Sequence, residues 1–490
     1  MKYLFDILKQ DFISRIISIS KKRKTQIYLV GGFLRDIFLE RRREKLDLDF
    51  AVKKDAIGLA RAFAKETKSG FVVLDREHGC ARVIYKDYTL DFTDFRGKDL
   101  KEDLLHRDFT INTLAIQLPV NSVKASFNGN GVNKNLKKSL IDYYGALDDL
   151  GRGLIKITSS QSFDEDYLRI LRAFSLAAIL KFRIDKKTLS LAKKGKDKLP
   201  NVSGERLRDE FFKILDTCDS TQYIKQLDKM GILSRIIPQI ELMRSIKQGP
   251  YHHLDVWGHS LEALRQLEIL LLDSKDDDEL NCYLNEKIAG ERKRKQLIKL
   301  VCLLHDIGKP RALEVKDGKT RFHGHERIGK DIAEVVSERL KLSTREKFAI
   351  DTMIFWHLRP GYLADNKNIT ERAKFRYFRD AGNEAVSILL LSISDQRATR
   401  GPKASPTSRI KHEKVSFELI KEYFKRKKEK KFVRLINGDD LIRKLRLKPS
   451  VLFKSILQEV EESQAEGKIK TKKEALELAR KVATKESAKQ

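Results

Sequence analysis

The residues with the clearest chemical potential lie between Tyr28 and Val52. The apolar run Tyr28-Leu29-Val30 predicts a buried strand, and Gly31-Gly32 follows it, where the backbone can turn tightly and approach a ligand. Asp47 and Asp49 are two residues apart on a second predicted strand, so both carboxylates fall on one face. Two carboxylates on a rigid edge beside a glycine turn are suited to holding a pair of Mg²⁺ ions on a nucleoside triphosphate.

Arginine side chains are the second group of candidate site residues. Arg35 lies on the helix that should follow the diglycine, and Arg107 lies in the segment LLHRDFTINTLAI. A guanidinium does not deprotonate in proteins and is suited to gripping a triphosphate. In FDEDYLRILRA, Asp166, Arg169 and Arg172 follow at i, i+3 and i+6, which would put them on one helix face. An Asp acceptor beside Arg donors can imitate the edge of a base, although such a pattern alone is more often a surface ion pair.

Together these motifs resemble the class II tRNA nucleotidyltransferases and bacterial poly(A) polymerases, which add nucleotides to RNA 3′ ends. The resemblance implies that Asp47 and Asp49 are catalytic and hold metal. It also implies a nucleotide-binding set, with base reading by the two residues of the EDxxR motif: Gly31, Gly32, Arg35, Arg107, Asp166, Arg169 and Arg172.

Two positions depart from the family pattern. His106 stands where the RRDFTINA motif has its first Arg, and we expect little effect there. Ser175 stands where RAxRF has an Arg that contacts the nucleotide in relatives. This second departure bears on phosphate affinity or nucleotide preference, and not on the reaction.

A second set of residues has the composition of a metal site. Seven of the ten histidines lie between His252 and His357. A lone histidine is more often a core residue, but an ordered set across several helices resembles the HD phosphohydrolase superfamily. The resemblance implies a divalent metal (Mn²⁺, Ni²⁺, Fe²⁺ or Mg²⁺) that activates a water, and leaves His252, His253 and His323 outside the set. The implied ligands are His259, His305, Asp306, His325, His357 and Asp395.

Bulk composition narrows the class of protein. The 490 residues are enough for about three domains. A formal net charge of +30 favours a polyanionic partner, although a basic composition alone is a weak signal. The four cysteines have no CxxC spacing and are expected to be core residues in a reducing compartment. With no apolar run near the roughly 18 residues that span a bilayer, we expect a cytoplasmic protein without membrane contact.

The pattern of elements predicts an α+β fold. A nucleotidyltransferase head with a mixed β-sheet is expected first, followed by an all-α neck, an HD domain and a helical tail. Three segments are expected to be irregular: 121–135 as a loop, 273–296 as a charged insertion, and 400–408 as a break before the tail, in which Lys421 to Lys431 is dense in positive charge. The expected bounds are 1–24 for an N-terminal helix, 25–150 for the head, 151–245 for the neck, 246–400 for the HD domain and 401–490 for the tail.

The function implied is template-independent addition of nucleotides to an RNA 3′ end, most directly the CCA end of tRNA from CTP and ATP, with no obligate protein partner. A poly(A) polymerase, or an enzyme that adds only CC or only A, is the alternative within the family. The short stretch between Asp94 and Leu104 keeps restricted specificity open. Hypotheses from other classes are an HD phosphohydrolase with an inert head and a non-catalytic RNA-binding module, and the intact carboxylates and arginines argue against both.

Overall fold

The structure is a computed structural model that describes residues 2–41, 46–119, 139–429 and 432–487. The predicted loop at 121–135 lies outside these ranges. The chain forms two compact units. The first comprises residues 1–214 with 230–235, and the second comprises 215–229 with 236–490.

The first unit is built on a seven-stranded mixed sheet of order β3-β4-β5-β2-β1-β6-β7. Its β1 strand pairs antiparallel with both β2 and β6, whereas β2 and β5 are parallel. The sheet confirms the predicted α+β class. The strands are β1 Ile27–Val30, β2 Leu46–Val52, β3 Gly70–Asp75, β4 Cys80–Tyr85, β5 Tyr88–Asp94, β6 Ala115–Leu118 and β7 Leu140–Ile141.

The alternation of β2 explains how the sheet positions its acidic residues. Leu48 and Phe50 are buried, and the Phe50 ring stacks on that of Phe92 in β5 with centroids 5.0 Å apart. Because side chains alternate along a strand, Asp47 and Asp49 both project from the opposite face. The two carboxylates therefore lie on the same face of the strand, as the alternation of side chains predicted.

Helices surround this sheet and continue beyond it. The prediction of one N-terminal helix over 1–24 is wrong, because Gln10 adopts an extended backbone and caps a second helix. The α-helices are Lys2–Leu8, Asp11–Lys22, Gly32–Phe38, Ala56–Thr67, Leu100–Leu105, Ala146–Gly151, Ser162–Glu165, Leu168–Leu180, Lys186–Gly195 and Gly204–Asp216, with 3₁₀ turns at Thr110–Asn112 and Lys196–Asn201.

The second unit is mainly helical. Its α-helices are Ser220–Lys229, Val256–Asp273, Asp278–Leu284, Arg294–Leu304, Lys309–Ala312, His325–Arg339, Thr344–Trp356, Arg359–Asp365, Glu371–Ala381, Ala385–Ala398, Pro406–Lys428, Gly438–Leu445, Leu452–Ala465 and Lys472–Ser487. The short helix Leu233–Ile236 falls at the junction of the units, and 3₁₀ turns lie at Pro238–Met243 and Gly382–Glu384.

Two expectations about this helical region are wrong. The charged insertion 273–296, expected to be a long loop with a fraying helix, does contain a helix, Asp278–Leu284, which Asp277 caps. The rest is not a long loop, because a small ladder, Lys287–Ala289 with Arg292–Lys293, follows. The region after residue 160 is not purely helical either. It contains that ladder, a second one of Glu314–Lys316 with Lys319–Arg321, and the strand Arg183–Ile184 paired with Leu154–Ile155.

The C-terminal part is divided differently from its predicted bounds. The helix that starts at Pro406 packs on Ala385–Ala398, where His412 lies 3.0 Å from the Ser392 hydroxyl. A separate small core comes later in the chain, and its buried members are Ile436, Leu441, Ile456, Val460, Ile469, Ala475, Ala479 and Ala483. In the basic segment, whose last two residues lie outside the described ranges, the Tyr423 and Phe424 rings pack against Tyr283.

The cysteines and the helices bear on the remaining structural expectations. Cys302 is buried and Cys80 is half-buried, but Cys218 and Cys282 are exposed, so the prediction of four core cysteines is wrong for the latter two. Cys218 lies in the turn after the helix Gly204–Asp216, and Cys282 lies in the helix Asp278–Leu284. Within the described ranges, every helix is too short or too polar to span a bilayer.

Candidate active sites

A cleft of about 610 Å³ in the first unit gathers most of the predicted nucleotide-binding residues. Asp47 and Asp49 line it with a third carboxylate that sequence reasoning missed. This is Asp91 in β5, which stands directly opposite Asp49 in the parallel register. The alternation in TLDFTDF, which puts Asp91 on the polar face of its strand, is the signal that could have identified it.

Asp91 is engaged by a neighbouring guanidinium. Arg82 of β4 donates from Nε and Nη2 to the two Asp91 oxygens, at 2.8 Å each. The carboxylates of Asp47, Asp49 and Asp91 do not converge as tightly as the metal-ligand groups of the second unit described below. Their shared face and oxygen chemistry nevertheless fit a hard divalent cation such as Mg²⁺.

Gly31 does not line this cleft itself, but its backbone lies against two residues that do, Asp49 and Arg107. Its φ of +84° is a conformation that L side chains rarely adopt. A Cβ atom there would lie 2.7 Å from Asp49 Oδ2 and 3.0 Å from Arg107 Nη1. The diglycine turn therefore allows a carboxylate and a guanidinium to approach the backbone from two sides.

Arg35 is held in place by its neighbours. It is buried, donates from Nε and Nη2 to Asp36 Oδ1 at 2.9 and 2.8 Å, and donates from Nη1 to Asn112 Oδ1 at 2.7 Å. Asn112 in turn donates to Asp108 Oδ1 at 2.8 Å. Arg172 Nε lies 2.7 Å from the other Asp108 oxygen. This chain of hydrogen bonds fixes two guanidinium groups along one wall of the cleft.

Arg107 is the least constrained of the arginines. Its Nε is buried without a hydrogen-bond partner among the described residues. A buried donor without a partner is costly, so the group is available to an incoming anion. Arg107 also opposes part of the pKa shift at Asp49: burial raises the pKa of that carboxyl, Arg107 lowers it and Asp91 raises it further.

A second cavity of about 270 Å³ adjoins the cleft. Both cavities are lined by Asp49, Arg107, Asp108 and Arg172. The second also contains Asp166 and Arg169. Burial alone would raise the pKa of Asp108, but Arg172 and the hydrogen bond from Asn112 lower it below its usual value. Asp108 therefore remains an anion where the two cavities meet.

The predicted helix face of the base-reading residues is not formed. Asp166 ends the short helix Ser162–Glu165 with an extended backbone, φ −158°, and precedes the helix that carries Arg169 and Arg172. Its carboxylate accepts from Arg206 Nη2 at 2.7 Å. The three residues share a cavity wall because the chain kinks at Asp166, and not because of helical spacing.

The Arg169 guanidinium links three neighbouring segments of the chain by hydrogen bonds. Its Nη1 donates to Ser162 and Glu165 at 3.0 Å, and its Nη2 donates to the backbone carbonyl of His106 at 2.7 Å. The His106 ring also contacts Glu165, with Nδ1 2.9 Å from Oε1. His106, which stands where the family motif has an Arg, therefore belongs to the same hydrogen-bonded group as Arg169 and Glu165.

Ser175 lines the larger cleft and donates to the Glu210 carboxylate. Glu210 also accepts from Lys213 Nζ at 2.7 Å. The position that holds Arg in relatives therefore has a small polar residue here, which shares Glu210 with a cation of the helix Gly204–Asp216, Lys213.

The turn between β5 and the helix Leu100–Leu105 is short and closed. Arg96 N–H donates to Asp103 Oδ1 at 3.1 Å, and Lys98 N–H donates to Glu102 Oε2 at 3.0 Å. A Cβ atom at Gly97 would lie 2.4 Å from Glu102 Cγ. Two backbone donors of the turn are therefore held by side chains of the following helix.

The six residues of the histidine and aspartate set come together in the second unit. His259, His305 and Asp395 form one group, and Asp306, His325 and His357 form another, with the ligand atoms of each group within 4.8 Å of one another. Asp306 spans the two groups, since Oδ2 lies 3.2 Å from His305 Nε2 and Oδ1 lies 3.4 Å from His325 Nε2. We name these six residues the HD cluster.

Backbone carbonyls orient three of the imidazoles. Nδ1 lies 2.9 Å from the Cys302 oxygen in His305, 2.8 Å from the Phe322 oxygen in His325 and 2.6 Å from the Ile354 oxygen in His357. Each ring therefore turns Nε2 toward the centre of the cluster. His305 Nε2 is buried and has no well-aligned hydrogen bond within the part of the chain that the structure describes. This donor set fits a divalent transition metal.

Burial and the aspartates set the charge of the HD cluster. Burial lowers the pKa of His357 to about 3, which leaves a neutral imidazole able to coordinate a metal. Burial opposes the shift, but His305 and Lys309 hold the pKa of Asp306 well below its usual range. His252 lies beside the cluster, its ring 4.8 Å from that of His259, and it lines the cavity that opens there.

Comparisons with known proteins match these sites to three family models. Residues 27–156 match the poly A polymerase head domain, residues 181–243 match a probable RNA and SrmB-binding site of polymerase A, and residues 256–381 match the HD domain. The first match contains both carboxylates of β2, and the third contains the five members of the HD cluster that precede Asp395.

Relatives extend the similarity over nearly the whole chain. The A-adding tRNA nucleotidyltransferase of Deinococcus radiodurans is 29% identical and covers 91% of this chain and 93% of its own length. The CC-adding tRNA nucleotidyltransferase of Synechocystis sp. is 28% identical over 93% of both chains. Among solved structures, the Thermotoga maritima CCA-adding enzyme complexed with tRNA has the same fold, with a TM-score of 0.60, 21% identity and coverage of 98% of this chain and 97% of its own.

Proposed function

Because this chain belongs to the class II tRNA nucleotidyltransferase and poly(A) polymerase family with an HD domain, we propose that it adds nucleotides to tRNA 3′ ends without a template. Its substrates would be CTP, ATP and a tRNA whose CCA end is incomplete. Its net charge of +30 suits a polyanionic partner.

One observation carries this proposal: the two adjoining cavities of the first unit share Asp49, Arg107, Asp108 and Arg172. The larger cavity has the carboxylates of β2, and the smaller has Asp166 and Arg169. A nucleotide is polyanionic at one end and carries hydrogen-bonding edges at the other. It would place its phosphates in the first cavity and its base in the second.

The residues take the following roles in this proposal. Asp47 and Asp49 hold the metal, and Gly31 and Gly32 let the backbone approach the phosphates. Arg107, whose Nε has no hydrogen-bond partner in the described ranges, receives the triphosphate. Arg35 and Arg172 contribute fixed positive charge from their positions along the wall. Asp166 and Arg169 line the second cavity and would select the base there, in exchange for part of their present hydrogen bonds.

Catalysis would depend on position and electrostatics, with no covalent enzyme intermediate. The carboxylate face fits Mg²⁺, which would lower the pKa of the RNA 3′-hydroxyl and stabilise charge on the triphosphate when bound. The side chains hold the α-phosphate in line with that hydroxyl. Arg107 then offsets the negative charge that develops as pyrophosphate leaves.

Restricted specificity is the second candidate. The turn at 95–99 is tied to the following helix by Asp103 and Glu102. Two relatives that match this chain over more than nine-tenths of their own length are named A-adding and CC-adding tRNA nucleotidyltransferases. A closed turn limits how far this wall of the pocket can adjust between two bases, which would favour one nucleotide.

Incorporation assays separate these functions. Purified protein would be incubated with tRNA that lacks CCA, tRNA that ends in CC and an unrelated RNA, each with CTP, ATP or both. Addition of three residues supports the CCA-adding function. Addition of two cytidines, or of one adenosine to the CC-ended tRNA only, supports a specialist. A long adenosine tail on any RNA supports a poly(A) polymerase, and no incorporation contradicts the proposal.

We propose that the HD cluster is a second, metal-dependent phosphohydrolase site. Its buried imidazoles and carboxylates suit Mn²⁺, Ni²⁺, Fe²⁺ or Mg²⁺ and a bound water that attacks a phosphate ester. A protein with this activity alone and an inert head is disfavoured by two features of the cleft. Its carboxylates are grouped together, and the Arg107 Nε donor has no partner among the residues that the structure describes. No obligate protein partner is required, and both reactions suit the cytoplasm.

A further inference from the structure

The segment 400–408, whose composition marks it as a break between domains, forms one wall of a cavity above the HD cluster. The cavity has a volume of about 380 Å³. Asp306, His357 and Asp395 line it at the cluster, and Lys403 and Arg409 line it from the segment and the start of the following helix. The wall is therefore built from residues that no metal-ligand motif includes.

The wall is fixed in place by the backbone. Gly401 N–H donates to the Tyr251 carbonyl at 2.7 Å, and Lys403 N–H donates to the Pro250 carbonyl at 3.1 Å. A Cβ atom at Gly401 would lie 2.3 Å from the Tyr251 carbonyl carbon and 2.5 Å from His252 N. Glycine is required at this contact, so the segment is a docked part of the site and not a free linker.

Among the described residues, the two cations of this wall have no ion-pair partner. Arg409 is half-buried and Lys403 is exposed, and neither has an acidic side chain within 4 Å in the described ranges. By contrast, Lys309 on the cluster side is paired with Asp306 at 2.6 Å and Gln248 at 2.7 Å. An unpaired guanidinium in a cavity gains most from an anion, and phosphate matches its geometry.

We propose that Arg409 and Lys403 are specificity residues that hold the phosphate group of a phosphomonoester against the HD cluster. The inference rests on the metal site proposed above. A cavity of about 380 Å³ is near the lower end of the range for small-molecule sites. The substrate would accordingly be a small phosphomonoester of about the size of a mononucleotide.

Calorimetric titration of inorganic phosphate into the full-length, Mn²⁺-loaded protein tests this. The same titration of an Asp306→Asn variant gives the contribution of any phosphate bound elsewhere, and manganese content is measured for every sample. We expect phosphate affinity at the cluster to fall about tenfold in Arg409→Gln and severalfold in Lys403→Gln, because each loses a charge-assisted hydrogen bond. Lys414→Gln, exposed on the same helix, is the matched control and should bind as the wild type does.

The outcomes separate this inference from the metal site. Unchanged phosphate affinity in both variants, with manganese retained, would overturn the inference and leave the metal site in place. Equal phosphate binding in the wild type and Asp306→Asn would also overturn it, since the anion would then bind elsewhere. A wild type that retains none of Mn²⁺, Ni²⁺, Fe²⁺ and Mg²⁺ when it is loaded with each in turn would overturn the metal site and the inference with it.

Discussion

Gly31 and Asp49 approach each other so closely that a Cβ atom on the glycine would lie 2.7 Å from Asp49 Oδ2. The same atom would lie 3.0 Å from Arg107 Nη1. Since φ at Gly31 is +84°, a residue with a side chain would strain the backbone there, in addition to these close contacts. One position thus controls where a carboxylate and a guanidinium of the cleft can lie.

We expect Gly31→Ala to reduce nucleotide incorporation by about 100-fold or more, because displacing catalytic groups by about 1 Å has costs of this size. The measurement is single-turnover incorporation of CMP or AMP, with circular dichroism to show that the fold is intact. Gly70→Ala is the control, since the nearest atom to its added Cβ is 3.8 Å away. Full activity in Gly31→Ala would show that the approach seen here is not needed for catalysis.

Asp49 should make stability depend on pH. Burial raises its pKa, so the folded state favours the protonated form. The stability from this group is present below its unfolded pKa and is lost as the pH rises through the raised folded value. Asp49→Asn, which cannot ionise, should therefore unfold at a higher temperature than the wild type at pH 8 in chelator. The difference should shrink toward pH 4, and a difference independent of pH would contradict the shift.

Asp91 should act with the two carboxylates of β2. It stands opposite Asp49, and Arg82 holds its two oxygens. We expect Asp91→Asn to raise the Mg²⁺ concentration needed for half-maximal incorporation and to lower the maximal rate by about tenfold or more, since a ligand oxygen with full charge is lost. Asp87→Asn, an exposed residue in the preceding turn, provides the control. An unchanged Mg²⁺ dependence would limit Asp91 to its pair with Arg82.

The sequence was a good guide to local elements and a poorer one to their contacts. The strand that carries Asp47 and Asp49 follows from alternation, and the diglycine turn follows from composition. Asp91 was missed because its proximity to Asp49 arises from pairing between strands far apart in sequence. The kink at Asp166 was also missed, because periodicity ran through FDEDYLRILRA while the backbone at Asp166 is extended. The docking of 401–404 on residues 250–252 could not be predicted, because backbone hydrogen bonds between segments leave no periodic signal in composition.

Arg169 should contribute to stability as well as to base selection. It donates to Ser162, Glu165 and the His106 carbonyl while buried. We expect Arg169→Lys to lower the free energy of unfolding by about 2 kcal/mol, because lysine keeps the charge and loses the fork of donors. Urea denaturation measures this, and Arg152→Lys is the control, since its ion pair with Asp148 is exposed. Wild-type stability in Arg169→Lys, with altered base preference, would make Arg169 a base reader only.

We expect the two activities to be lost independently of each other. The HD cluster lies wholly in the second unit, and the carboxylates of β2 lie wholly in the first. Asp47→Ala should abolish incorporation of CMP and AMP while the protein still retains manganese and hydrolyses a phosphomonoester. His305→Ala should do the opposite, since it removes a buried imidazole whose Nε2 faces both Asp306 and Asp395. Incorporation, metal content after gel filtration and phosphate release would be measured on both variants, with thermal unfolding to show that each folds. Loss of both activities in either variant, with unfolding unchanged, would mean that the reactions depend on a common set of residues, and the assignment of one reaction to each site would then be wrong.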